Sequence, residues 1–295
     1  MSEHNANSPQ IEAPSGAPRC CGADAPPPLA PKTAGWDSMA QWYTTWMSPG
    51  TAAVSFSLFG HLGLLNRNSG SYRVLETHAG DAQTAAQVLP SASIVAYTAT
   101  DFSPGMIAAA QANLGDRATV LTSDSVQLPF PDASFDRYLS NLGMCCTSDL
   151  SASLSEARRV LAPGGAAAMS LRIEGGDGDT AFRLIQETLA PFGAIPPPDR
   201  EGILIGKDLP ALRARLRNAG FAGSIVAWHT WATLPVHDAD AFLAFATSQP
   251  PTQKLLASLD AESRTIAEKA LHSAGAAALE KGAIQVAVAA VLAWC

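Results

Sequence analysis

Between residues 72 and 173 short apolar runs alternate with longer amphipathic stretches. YRVLET (72–77), IVAYTATD (94–101), ATVLTSD (118–124), FDRYLSNLG (135–143) and AAAMSLRI (166–173) read as strands. DAQTAAQVL (81–89), SPGMIAAAQANL (103–114) and LSASLSEARRVLA (150–162) read as helices. Ser103 is placed as an N-cap with Pro104 at the first helical position, and Pro163-Gly164-Gly165 stops the third helix. This alternation predicts a mostly parallel sheet covered on both faces, a doubly wound α/β fold.

The flanks follow other rhythms. Residues 180–193 and 209–221 predict helices, and SIVAWHTWATL (224–234) a strand. Residues 238–281 are helical and Ala-rich, and IQVAVAAVLAW (284–294) is strand-like. The two late strands predict an antiparallel edge pair on a seven-stranded sheet, with 238–281 as a helical insertion forming a cap. Upstream, WDSMAQWYTTWM (36–47) places Trp36, Met39, Trp42, Tyr43, Trp46 and Met47 at spacings of three and four. That predicts an amphipathic helix with an aromatic stripe, ended by Pro49 and Gly50, within an N-terminal helical lid over 36–70. Residues 1–34 are rich in Pro, Ala, Ser and Gly, with Pro26-Pro27-Pro28 in a row, and predict an unpacked tail. One domain is expected over 35–295.

Composition narrows the function. The chain has 295 residues, 47% hydrophobic and only 15% charged, which supports a sizeable core. The net charge of −7 leaves no basic stripe for a phosphate backbone, which weighs against tight nucleic-acid binding on electrostatic grounds. The cysteines are Cys20, Cys21, Cys145, Cys146 and Cys295, an odd set with two adjacent pairs that does not form a disulfide framework. The most apolar run, 283–295, is shorter than the ~20 residues a spanning helix needs. A cytoplasmic location is the default expectation, with organelle targeting by the tail left open.

In an open α/β sheet ligands sit outside the carboxyl ends of the strands. Those ends carry Glu76, Asp101, Asp124 and Ser140-Asn141. Asp101 follows Gly80 by about twenty residues, the spacing of a ribose-binding acid in dinucleotide folds. Such folds also need three glycines where a pyrophosphate meets a helix N-terminus, and VLETHAGDA (74–82) supplies one. The missing glycines point away from NAD or FAD and towards an adenosine derivative without a pyrophosphate.

These residues resemble a known family. VLETHAGDA is similar to the first motif, V-L-E-x-G-x-G-x-G, of the class I S-adenosylmethionine-dependent methyltransferases. YTATDFSPGMIAAAQANL and DSVQLPFPDASFDRYLSNLG resemble the later motifs. LPFPDASFD together with RVLAPGG resembles the ubiquinone/menaquinone-type (methyltransferase type 11-like) small-molecule branch. The resemblance covers roughly residues 72–173. It implies a Rossmann-like sheet, S-adenosyl-L-methionine as cofactor, and methyl transfer to O, N, C or S of a small organic acceptor. It also implies that Glu76, His78, Ala79 and Gly80 hold the methionine end. Asp101 would accept from the ribose hydroxyls, with Phe102 and Met106 beside the adenine. Asp124, Ser125 and Val126 would read the ring edge, and Asn141 would line the methyl-transfer side.

His78 and Ala82 stand where the family has glycine. His78 must therefore take a negative φ or carry strain. The runner-up reading is accordingly a non-catalytic methyltransferase-like binding or scaffold protein with an altered cofactor loop. No catalytic signature is found, because the sulfonium activates the methyl group and a base is optional. Trp36, Tyr43, Met144 and Cys145 are the candidate acceptor-side residues. Buried, apolar packing is the expectation for the adjacent Cys145 and Cys146, and no metal site is expected. The same lid and insertion helices could equally form a homodimer face.

Overall fold

The computed structural model describes residues 30–66, 70–91, 93–174, 179–193 and 201–295. Residues 1–29, most of the segment expected to form a tail, lie outside the described residues. The first helix, α1 (Ala30–Trp42), passes through a π-helical segment (Tyr43–Met47) into α2 (Ser48–His61). The expected stop at Pro49 and Gly50 does not occur. The π segment lengthens the ladder by one residue, with the Ser48 N–H donating to the Tyr43 carbonyl. Pro49 then falls in the first turn of α2, where a missing N–H leaves nothing unsatisfied.

The alternating block follows as expected. It comprises β1 (Tyr72–Thr77), α3 (Gln83–Val88), β2 (Ile94–Asp101), α4 (Pro104–Leu114), β3 (Thr119–Thr122), β4 (Phe135–Ser140), α5 (Leu150–Val160) and β5 (Leu161–Arg172). Ser103 caps α4, its hydroxyl accepting from the Met106 N–H at 3.2 Å. β5 begins earlier than the sequence suggests. Leu161 pairs with Phe135 and Ala166 with Arg137, so Pro163-Gly164-Gly165 form a bulge inside the strand rather than a turn before it. The remainder is α6 (Thr180–Leu189), α7 (Glu201–Ile205), α8 (Leu209–Asn218), β6 (Ile225–Thr233), α9 (Ala239–Ser248), α10 (Pro250–Ala257), α11 (Ala261–Leu279) and β7 (Gln285–Trp294).

The seven strands order as β3-β2-β1-β4-β5-β7-β6, with β7 antiparallel to both its neighbours. This is the doubly wound, Rossmann-like sheet with an antiparallel edge pair that the hydrophobic pattern predicts. β7 is buried on both faces, which its run of Val and Ala permits. One face carries Leu58 and Phe59 of α2, Val88 of α3 and Leu114 of α4 against Val74, Ala99, Leu139 and Ala168. The opposite face carries Leu154 of α5 and Leu212 and Leu216 of α8 against Tyr138, Met169 and Val291.

A third cluster joins the cap to the sheet. Phe242, Phe245, Leu256 and Leu271 of α9–α11 pack on Val286 and Val288 of β7 and on Trp42 and Met47. Gln285 pairs with Thr233, so the insertion leaves and rejoins the sheet at the carboxyl edge of β6. The aromatic stripe is therefore divided. Trp42 stacks near Phe182 and Phe245 and donates to the Phe245 carbonyl at 3.1 Å, and Trp46 donates to Ser248. Trp36 and Tyr43 meet edge to face and turn towards the strand ends.

Trp42→Ala is expected to lower unfolding free energy by about 3–5 kcal/mol, because it empties the seam between lid and cap. Trp42→Phe should lose about 1 kcal/mol from the missing indole donor. Urea unfolding of the two variants measures both, and equal, small losses would mean that the seam does not stabilise the fold.

Candidate functional site

The loop after β1 is built on three left-handed residues, His78 (φ 54°), Gly80 (φ 57°) and Ala82 (φ 51°). These are the three positions of the glycine motif. The backbone keeps glycine-like geometry although two of the residues carry a Cβ, at a cost of roughly 1–2 kcal/mol each. His78 thus carries strain rather than taking a negative φ. The Ala79 N–H donating to the Thr100 carbonyl and the Ala82 N–H to the Ala79 carbonyl fix the turn.

The His78 ring is held from three sides. Nδ1 lies 3.2 Å from the Thr77 hydroxyl and 3.0 Å from that of Ser140, and Nε2 lies 3.0 Å from that of Ser125. Ser125 continues to Ser153 on α5. Burial pushes the imidazole down to about 4, against the smaller opposing pull of Asp124, so the ring is neutral. It also presses on the loop after β4. A Cβ placed on Gly143 would stand 2.2 Å from the His78 Cβ, so only glycine fits there.

Asp101, at the end of β2, accepts from the Gly80 N–H through Oδ2 and from the Ser103 N–H through Oδ1, both at 3.0 Å. Burial raises its carboxyl above the usual range, and these N–H groups oppose the shift. Asp37 of α1 ties the lid to the same place, accepting from the Ser103 hydroxyl and the Gly105 N–H. Glu76 is buried and accepts from the Tyr97 hydroxyl, and burial pushes it up to about 8. Asp81 accepts through Oδ1 from the Ser48 hydroxyl at 2.7 Å and the Gln83 N–H at 3.2 Å. Its other oxygen is buried with no hydrogen-bond partner.

Two small cavities lie on either side of His78, Tyr43 and Asn141. The first, about 40 Å³, is walled by Trp36, Tyr43, His78, Gly80, Asp101, Phe102, Met106, Asn141, Leu142, Gly143 and Cys146. The second, about 20 Å³, is polar and is walled by Glu76, Ala79 and Asp81 with Ser48, Thr51 and Ser55 of α2. Tyr43 closes the space between them: a Cβ on Gly80 would come within 2.8 Å of its ring. Desolvation, then the Asp81, Asp101 and Glu76 carboxylates, hold its hydroxyl neutral.

Most of the expected site residues therefore share one place. Asp124, Ser125 and Val126 line neither cavity. Ser125 backs the His78 ring, and Asp124 accepts from the Val126 N–H. Met144 and Cys145, expected on the acceptor side, turn into the core beside Leu150 and Leu154, because the left-handed Leu142 (φ 53°) and the turn closed by the Cys146 N–H to the Gly143 carbonyl point them inward. Cys146 takes the wall position instead. The sequence reading missed Asp81, although it lies inside the first motif. It also missed Ser48, Thr51 and Ser55, whose spacing of three and four marks a polar stripe on a helix. Among the described residues no group of three or more His, Cys, Asp or Glu could hold a metal ion, and no helix is long and apolar enough to cross a membrane.

Residues 75–169 match the family model described as "Methyltransferase domain". A 50-residue stretch, 17% of this chain, is 48% identical to the ubiquinone/menaquinone biosynthesis C-methyltransferase of Paracoccus denitrificans. A 78-residue stretch, 26% of this chain, is 44% identical to the malonyl-[acyl-carrier protein] O-methyltransferase of Erwinia pyrifoliae. The matches span only 20% and 29% of those relatives' own lengths. The crystal structure of a SAM-dependent methyltransferase from Thermotoga maritima superposes with a TM-score of 0.50 at 13% identity, over 88% of this chain and 98% of that one, a likeness of fold.

Two outcomes test this site. Glu76 has a raised folded value, so its contribution to stability is complete below its ordinary value of roughly 4.3 and is lost as pH rises to about 8. His78 has a lowered value, so its contribution is complete above roughly 6.5 and is lost as pH falls to about 4. The two slopes oppose each other at mildly acid pH, and above it Glu76 acts alone. The melting temperature should therefore fall from about pH 6.5 to 8, and Glu76→Gln should flatten that fall. An unchanged slope would mean that Glu76 is already ionised. Separately, Gly143→Ala should cost about 1–3 kcal/mol through its clash with His78, and the cost should vanish in a His78→Gly background. Thermal unfolding of the four proteins measures the coupling.

Proposed function

We propose that this chain, which over residues 75–169 matches the family model described as "Methyltransferase domain", is a class I S-adenosylmethionine-dependent methyltransferase that transfers a methyl group from S-adenosylmethionine to a small organic acceptor. The observation that carries the proposal is the set of acids at adjacent strand ends around a left-handed loop: Glu76, Asp101 and Asp124. The donor chemistry fits an adenosyl sulfonium. Asp101 has acceptor capacity left for ribose hydroxyls after its two backbone contacts. Phe102 and Met106 offer apolar walls to a base, and Asp124, Ser125 and Val126, beyond the cavity walls, would read its polar edge. The second cavity would take the amino-acid end, and the unpartnered Asp81 oxygen is suited to its ammonium group.

When bound, the cofactor supplies a methyl group already activated by positive sulfur. The chain's own work is then alignment and exclusion of water. Trp36 and Tyr43 cover the site, and the α1 latch at Asp37 keeps them there. Asn141, Leu142, Gly143 and Cys146 form the acceptor side. The Asn141 amide is oriented by the Ser170 hydroxyl, which donates to its Oδ1 at 2.9 Å. His78 is neutral with both nitrogens engaged, and Tyr43 holds its proton, so neither serves as a ready base. The acceptor atom must arrive nucleophilic.

One observation favours the runner-up, a binding or scaffold protein. The cavities of about 40 and 20 Å³ fall far below the roughly 300 Å³ of an ordinary small-molecule pocket. Entry of the cofactor thus requires Tyr43 to leave Gly80. Calorimetric titration with S-adenosylmethionine and S-adenosylhomocysteine separates the readings. An enzyme should bind at about micromolar Kd, and Asp101→Ala and Asp124→Ala should each weaken binding about tenfold. Asp81→Asn should weaken S-adenosylhomocysteine by a similar factor and leave 5′-methylthioadenosine, which lacks the amino-acid end, unchanged. No binding at millimolar ligand by either the wild type or His78→Gly would leave the scaffold reading standing.

A further inference from the structure

The second cavity carries charge of one sign only. It holds about 20 Å³, room for roughly one water-sized group. Glu76 and Asp81 stand on its wall, and among the described residues no lysine or arginine lines it. His78, on the same wall, is neutral. The donors around it are largely engaged with the protein itself. The Ser48 hydroxyl and the Gln83 N–H donate to Asp81 Oδ1 at 2.7 and 3.2 Å. The Thr51 hydroxyl donates to the Ser48 carbonyl at 3.4 Å, and the Asn141 amide to the Thr51 carbonyl at 3.5 Å. Asp81 is 2% exposed, and its Oδ2 is buried with no hydrogen-bond partner.

An ammonium group placed here gains a buried, charge-assisted contact with that oxygen. A carboxylate beside it would meet two acids and otherwise only neutral side chains, in a poorly solvated space where like charges repel strongly. Displacing Tyr43 from Gly80 would widen this space without changing its acids. The amino-acid end of S-adenosylmethionine brings both groups. A decarboxylated end brings the ammonium alone.

We propose that the second cavity is a subsite for a primary ammonium without a neighbouring carboxylate, with Asp81 as the selecting residue, so that the site takes a decarboxylated adenosyl sulfonium or thioether in preference to S-adenosylmethionine or S-adenosylhomocysteine. The assignment rests on the proposed adenosyl site and narrows which ligand of that class it holds. The sulfur and its methyl group are the same in both forms of the sulfonium, so the preference is compatible with methyl transfer.

Calorimetric titration of the full chain at neutral pH tests this with S-adenosylhomocysteine, its decarboxylated analogue, and the analogue that keeps the carboxylate but lacks the amine. The decarboxylated compound should bind about tenfold more tightly than S-adenosylhomocysteine, and the deaminated one most weakly. Asp81→Asn keeps an acceptor for Ser48 and Gln83 but removes the charge. It should weaken the decarboxylated compound about a hundredfold and S-adenosylhomocysteine only about tenfold, so that the preference disappears. An unchanged Kd for 5′-methylthioadenosine shows that the adenosine side of the variant is intact. S-adenosylhomocysteine binding as tightly as its decarboxylated analogue would overturn this assignment and leave the proposed function standing. A preference that survives Asp81→Asn would remove Asp81 as its source. Failure of all three compounds to bind at millimolar concentration would overturn both readings together.

Discussion

The His78 ring ties together the ends of three strands: Thr77 closes β1, Ser140 closes β4, and Ser125 follows β3. The surrounding site is arranged around this contact. The left-handed backbone at 78 aims the ring across the sheet rather than out of it, and Gly143 must lack a side chain because the ring is there. Three hydroxyl contacts offset the strain of a Cβ at positive φ. A glycine at 78 would relax the backbone and release the strand ends from one another.

The acids around this ring stand in poor solvent. Glu76, Asp81 and Asp101 are all buried, and among the described residues no lysine or arginine walls either cavity. In a low dielectric such a cluster lowers its energy by protonation, by hydrogen bonding or by a cationic guest. The first two are visible here. Glu76 retains its proton to high pH, Asp101 takes backbone N–H groups, and Asp81 has an oxygen still to be satisfied.

The strands and the main helices were legible because their signals are local: period-two and period-3.6 hydrophobicity and a Ser-Pro helix start. The carboxyl-end rule named Glu76, Asp101 and Asn141, which the fold brings to the walls of the two cavities. What escaped depends on distance in sequence. Asp81 matters through Ser48, thirty-three residues away, and the polar stripe of α2 has meaning only once that helix crosses the loop. Met144 and Cys145 were assigned to the acceptor side from their place after β4. One left-handed leucine reverses which thiol faces the cavity. Pro49 misled for a related reason, since a proline stops a helix only where the ladder needs its N–H.

The π segment at Tyr43–Met47 has a further bearing on how this chain can change. Such a segment is an α-helix carrying one residue beyond its pitch, so it behaves as a retained single-residue insertion. Deleting that residue would leave a continuous helix and rotate everything before it by about 100°. Trp36 and Asp37 would swing off the strand ends and Trp42 off Phe245, while α2 kept its place. The lid, with its contacts to both the strand ends and the cap, is thus in a different reading frame from the part of the helix that packs on the sheet, and a length change of one codon in this segment would undo those contacts together where many point substitutions would not.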